Sequence, residues 1–283
     1  VNNVLGLRWF DETHAKKVKS LSLYLHFITL RIRAQMAYRF SFTLELLSQV
    51  SVSVIDFLMI AILFERFKQL ANWTLWEVGL LYGIISICFA LAEMVARGFD
   101  TFQNLVVRGA FDNMLIRPLG TFYQVFAHEF QLRRVGRLIQ GLVVFLIANS
   151  HLDISWSLGK LGYLCLALTG GTCFFIGLLV IGATSCFWTV QSIEIINIFT
   201  HGGIFMGSYP ISIYQRWFRH FFTFIIPLAC VNYFPSLFLL NKFEPAGTSR
   251  IVVQFAPFIG ILFLSITGLF WKWGVSHYQS TGH

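Results

Sequence analysis

Charge is what this chain has least of. Asp, Glu, Lys and Arg make up 12% of its 283 residues, about half the share found in ordinary soluble domains. With 56% hydrophobic residues and a mean hydropathy of +0.68, such a surface excludes a water-soluble globular fold. Alternation of apolar and polar residues is also missing. Continuous apolar runs such as Phe57 to Phe64 exclude a β-barrel, whose strands alternate between lipid and lumen. The expected class is therefore an all-α integral membrane protein.

Other absences narrow the chemistry. No G-x-x-x-x-G-K-[ST] loop is present, so nothing here cradles nucleotide phosphates in the usual way, and any ATP-derived energy has to come from another chain. Cys88, Cys165, Cys173, Cys186 and Cys230 lie in apolar stretches without C-x-x-C spacing or a nearby His cluster, which reads as buried free thiols. His128 and Glu129 open a metalloprotease-like motif, but residue 132 is Leu where a second His is required, so no metal site is expected. No catalytic cluster of His, Cys and carboxylate emerges. A cleavable signal peptide is not expected either, because the first residues are polar and the basic ones lie further along.

What is present is a series of apolar stretches long enough to cross a bilayer, which takes roughly 20 residues each. Residues 21–40 form an amphipathic stretch with Lys16, Lys17, Lys19, Arg31 and Arg39 around it, expected to lie in the membrane interface. Spans follow at about 41–64, 75–96, 138 onward, 161–188, 190–206 and 251–271, the third predicted to begin as a helix near Leu119. Between them, residues 97–137 are polar and basic, and residues 209–240 are apolar but interrupted by Pro227 and Pro235. That proline-broken piece reads either as a seventh span or as an element that enters the bilayer and returns.

The formal charge of +8 reads as an orientation signal and not as a nucleic-acid footprint. Seven basic residues in the N-terminal block, six in the 97–137 loop and Lys272 place fourteen of the 21 Lys and Arg on one side, the expected cytoplasmic side. Both termini then lie inside.

Two polar stripes cross this apolar background. Glu45, Gln49, Ser53 and Asp56 fall within about 80° of one helical face, and Gln191, Glu194, Asn197 and His201 form a second stripe. Ionisable groups at bilayer depth face protein or a hydrated path. The stripes therefore either hold helices together or line a translocation path, with Glu45, Gln49, Asp56, Glu194, Asn197 and His201 as its candidates. Aromatic residues, 17% of the chain, offer faces to a cationic compound as well as to lipid. Ala167, Gly170, Gly171, Gly177 and Gly182 predict close helix packing in the fourth span.

The stretches RGFDTFQNLVVRGAFDNMLIRPL (residues 97–119) and YPISIYQRWFRHFFTFIIPLACVNYFPSLFLL (residues 209–240), with the amphipathic leading helix and two spans before them, resemble the permeases of type-2 ABC exporters. The subgroup is similar to bacterial permeases labelled viologen or multidrug exporters. The resemblance covers nearly the whole chain. It implies a single six-span transmembrane domain over residues 1–283 in the bacterial cytoplasmic (inner) membrane. Residues 1–40 are its interfacial lead, 97–137 its cytoplasmic coupling segment and 209–240 its outer re-entrant element.

The resemblance also implies two cytoplasmic ATPase subunits, with ATP and Mg held there and no cofactor on this chain, and a second permease, a related chain or a second copy. Carried over by position, Arg108, Phe111, Asp112, Leu115 and Arg117 belong to the element that docks on the ATPase, and Tyr209, Pro210, Pro227 and Pro235 to the outer gate. Phe102, Leu105, Phe111, Met114 and Leu115 are the expected apolar docking face. Two other classes remain open to the residues alone. One is an ion-coupled secondary transporter using the intramembrane carboxylates, and the other a membrane-embedded lipid-modifying enzyme.

Overall fold

The structure is a computed structural model that describes residues 28–30, 32–67, 69–189, 193–242 and 250–279, with side chains described for all of these except 53 and 193–196. Among the described residues there are helices and turns and no strand. The long helices are α1 (Arg39–Arg66) and α2 (Leu75–Val95). Four short helices follow: α3 (Arg97–Asp100), α4 (Phe102–Val107), α5 (Asp112–Leu115) and α6 (Thr121–Phe126). The chain then returns through α7 (Val135–His151), α8 (Leu158–Ser185) and α9 (Ile193–Gly207). It continues in α10 (Arg216–His220), α11 (Tyr233–Leu240) and α12 (Arg250–Ser276).

Local sequence sets these boundaries. Glu77 accepts the Thr74 backbone N–H at 2.9 Å and so caps the start of α2, and the same carboxylate receives Lys242 Nζ at 2.7 Å. Ser157 caps α8 by accepting from the Lys160 backbone N–H. α11 stops at Asn241, which takes the left-handed conformation that ends helices. Pro257 lies inside α12, and its missing N–H leaves the Val253 carbonyl without its usual helical donor. Tyr163 Oη on α8 donates to that carbonyl instead. In hydrocarbon, where water cannot substitute, this bond lets a proline sit within a long helix.

α2 is the axis of the bundle. Of its most apolar window, 83% is buried, against α7, α8, α9 and α11. α8 and α12 make the tightest crossing, where Gly170 and Gly260 face each other. A Cβ on either would collide with the opposite backbone, so the glycine-rich character of α8 serves helix approach as expected. α1 stands at the edge, with 6% of its window buried and Leu44, Leu47, Val52, Ile55, Leu58, Met59 and Ile62 exposed.

Four helices, α1, α2, α8 and α12, are long and apolar enough to cross a membrane. A fifth span is available if the segments Arg216–Ile225 and Leu228–Leu240 count as one. Those two segments are bent by 72° at Ile226 and Pro227, in keeping with a broken element and not a straight seventh helix. α7 and α9, with 17 and 15 residues, are shorter.

One sequence expectation is corrected. The helix predicted to run unbroken from Leu119 into the third span is interrupted, because the chain leaves helical geometry after α6 and resumes only with the turn Leu132–Arg134 and α7. The break is fixed from outside: Gln131 donates its backbone N–H to the Met94 carbonyl, and Gln35 bridges the Phe130 carbonyl at 2.6 Å and the Leu132 N–H at 3.0 Å. The coupling segment opens with the short helices α3, α4 and α5, with Gly109 at φ 63° turning the chain between the last two. Of the interfacial stretch, residues 1–27 lie outside the described residues. Residues 32–37 are helical and lead through a turn at Tyr38 into α1.

Candidate functional site

The α1 polar stripe meets the basic loop. Arg133 reaches Glu45 at 3.5 Å, and Arg134 donates to Gln49 at 3.1 Å. Above them, Glu93 on α2 is 2% exposed and gathers three guanidiniums: Arg134 at 2.8 Å, Arg137 at 3.3 Å and Arg97 at 3.9 Å. Arg97 is also paired with Asp100. Burial draws Arg134 down to about 10, against the opposing pull of Glu93, so it stays charged near neutrality. Arg97 is lowered by burial in the same way.

Sequence reasoning counted these arginines as loop charges and did not single out Glu93. The available signal was a lone carboxylate inside an apolar helix, four residues before Arg97.

Two turns beyond Gln49 on α1, Asp56 faces a cavity of about 200 Å³ between α1, α2, α7 and α9. Its walls carry Asp56, Ile60, Tyr82, Ser86, Arg137, His201, Ile204, Phe205, Ser208 and Tyr209. Asp56 and His201, the far members of the two sequence stripes, are thus brought together. Arg137 lies 5.3 Å from the centre of the Phe89 ring, and His201 packs edge-on against the same ring at 5.3 Å. Gln140 on α7 donates to Tyr82 Oη at 3.3 Å. Asn197 is half-buried and is not part of these walls, and the side chain of Glu194 lies outside the described residues. Arg137 and Tyr82 were missed as site residues because they sit on helices that no spacing rule connects to α1 or α9.

A wider cleft of about 450 Å³ opens at the arginine-rich end beside Gln35, Tyr38, Glu45, His128, Glu129 and Arg133. Glu129 accepts from Thr101 and Gln131. Among the described residues no group of His, Cys, Asp and Glu is arranged to hold a metal ion.

At the same end the expected docking face is turned inward. Phe102 and Phe111 are fully buried, and Leu105 and Met114 nearly so. Phe102 and Phe111 pack edge-on with each other and against Phe187 and Trp271, because aromatic surface at the foot of the helices is worth most when enclosed. Phe111 therefore does not reach the surface as expected. Arg108, Leu115, Ile116 and Arg117 do, with Ile116 at 83% exposure. Asp112 sits beside the Tyr278 hydroxyl, which burial and this carboxylate together push up to about 12.

The 209–240 element meets the cavity at Tyr209. Tyr209 lines both the cavity and a small apolar pocket below the element, and Pro210 is buried at the start of a short turn. Pro227 marks the bend, and Pro235 lies buried in the first turn of α11. Asn232, which sequence reasoning passed over, donates to the carbonyls of Leu81 in mid-α2 and Gly207 at the end of α9, tying the element to both helices.

A partly open cavity with polar and aromatic walls, in a bundle with long apolar helices, a broken apolar element and a cluster of arginines, is the arrangement of a polytopic membrane protein. The model of the family described as ABC-2 family transporter protein matches residues 50–282, so the chain belongs to that family and is a membrane subunit of an ABC transporter. Members of the family work with ATPase subunits and are generally not catalytic themselves. No curated protein and no solved structure gives a significant match.

Proposed function

We propose that this chain is the permease of an ATP-driven exporter with six spans, both termini in the bacterial cytoplasm, two separate ATPase subunits and a second permease, a related chain or another copy. Nucleotide binding closes the ATPase pair, the segment from Arg97 to Pro118 transmits the movement, and the bundle switches between inward-open and outward-open packings. The cargo is a hydrophobic, amphipathic or cationic compound of the multidrug type. Asp56, Tyr82, Arg137 and His201 form its path, and Tyr209 with the element to Leu240 forms the outer gate.

The observation that carries this reading is the partly open cavity with polar and aromatic walls between α1, α2, α7 and α9 in a chain of the ABC-2 family. Four intramembrane helices enclosing a mixed polar and aromatic space need that space to be hydrated or filled. Support for the docking role comes from Arg108, Leu115 and Arg117, exposed at or just past the ends of short helices that are braced from behind by Phe102, Phe111 and Trp271. Phe111 then acts as an internal strut between the docking surface and the foot of α12.

The test is purification from native membranes with the partners attached. Arg108→Glu combined with Arg117→Glu is expected to remove the copurifying ATPase while leaving the permease folded. Retention of the ATPase with unchanged stimulated hydrolysis would overturn the docking assignment.

A further inference from the structure

The cavity carries two fixed charges of opposite sign that do not meet. Asp56 enters from α1 and Arg137 from α7. Among the described residues Asp56 has neither a hydrogen bond nor an ion pair, so no Arg137 nitrogen lies within 4.0 Å of its oxygens. Arg137 is held from behind by Glu93, but that single carboxylate is divided among three guanidiniums, so Arg137 is not neutralised there. Its guanidinium carbon also lies 5.3 Å from the centre of the Phe89 ring.

This arrangement discriminates among ligands. A simple cation would satisfy Asp56 and be repelled by Arg137, and a simple anion would meet the reverse. A head bearing both charges satisfies both groups at once, and the hydroxyls of Tyr82, Ser86 and Tyr209 can complete its hydrogen bonds. At about 200 Å³ the cavity is smaller than the roughly 300–1,000 Å³ that encloses a drug-sized ligand. It holds a head and not a whole amphiphile. Phe205 on its wall is 59% exposed, so the cavity opens on this side to the surface of the bundle.

We propose that the cavity binds the head of a zwitterionic amphiphile, the cationic group on Asp56 and the anionic group on Arg137, with the apolar tail leaving past Phe205 toward lipid. The proposal rests on the export reading only in making this amphiphile the transported species.

The test uses the purified full chain in phosphatidylglycerol nanodiscs and three probes with the same tail: an N-decyl carboxybetaine, decyltrimethylammonium and decanoate. Binding of the carboxybetaine is expected to be about tenfold tighter than that of either singly charged probe. Asp56→Asn should weaken the carboxybetaine and strengthen decanoate, whereas Arg137→Gln should shift the preference to decyltrimethylammonium. Because Arg137 also pairs with Glu93, Asp56→Asn carries the test if Arg137→Gln does not fold.

A wild-type preference for decyltrimethylammonium, or an unchanged ranking in Asp56→Asn, would overturn the proposal. Adding phosphatidylethanolamine to the nanodisc separates two sources of the same chemistry. Loss of probe affinity identifies a bilayer lipid head as the occupant, and unchanged affinity identifies a soluble amphiphile. No ATPase is present in this assay, so failure to copurify an ATPase overturns the export reading and leaves the binding result standing.

Discussion

α1 and α2 are both apolar helices long enough to span a bilayer, yet 6% of one window is buried and 83% of the other. Apolar content therefore says that a helix belongs in a membrane and not whether its neighbours are lipid or protein. The difference lies in the minor residues. α2 carries Gly79 and Gly83, which let α7 approach, and Glu93, which collects arginines from two other segments. α1 carries bulky aliphatic residues outward and uses its few polar ones, Glu45, Gln49 and Asp56, along one seam.

That contrast can be broken or sharpened by substitution. The largest effect is expected from Glu93→Ala, which leaves three guanidiniums at the foot of α2 without their shared carboxylate. Removing one side of a buried ion pair costs about 3–5 kcal/mol, and the variant should lose its monodisperse peak on size exclusion in mild detergent. A smaller effect is expected for Gly83→Leu, since a Cβ there already meets the Phe145 backbone at 3.0 Å. Overpacking of this kind costs about 1–3 kcal/mol and should appear as a lowered unfolding temperature with assembly retained.

The smallest is Ile62→Ala on α1, where the side chain is 65% exposed. There the change in the isolated chain should stay within about 0.5 kcal/mol by the same thermal measurement. Equal destabilisation by Gly83→Leu and Ile62→Ala would erase the distinction between the two helices.

Much of the helical layout was legible in the sequence. The bounds of α2, α8 and α12 fall within a few residues of the expected spans, because long apolar runs with polar ends leave little choice. The foot of α7 was not legible. Its break near Gln131 depends on hydrogen bonds with the Gln35 side chain and to the Met94 carbonyl, residues that are distant in sequence. The docking segment shows the same limit in another form. Composition identified Phe102, Phe111 and Met114 as an apolar face but could not say which way it turns, and the aromatic cluster around Trp271 turns it inward.

In the cavity, helical spacing singled out Asp56 and His201 separately. It could not supply Arg137 and Tyr82, because periodicity relates residues along one helix and not across four.

The length of α7 bears on the membrane itself. Its 17 residues extend roughly 26 Å, a few ångströms short of a typical hydrocarbon core, while Ile139, Leu142, Val143, Leu146 and Ile147 face outward along it. In the proposed six-span arrangement, lipid beside this face compresses its acyl chains to match. That arrangement thins the bilayer next to the helix that carries Arg137, so acyl-chain length sets how far a lipid-borne head has to travel to reach the cavity.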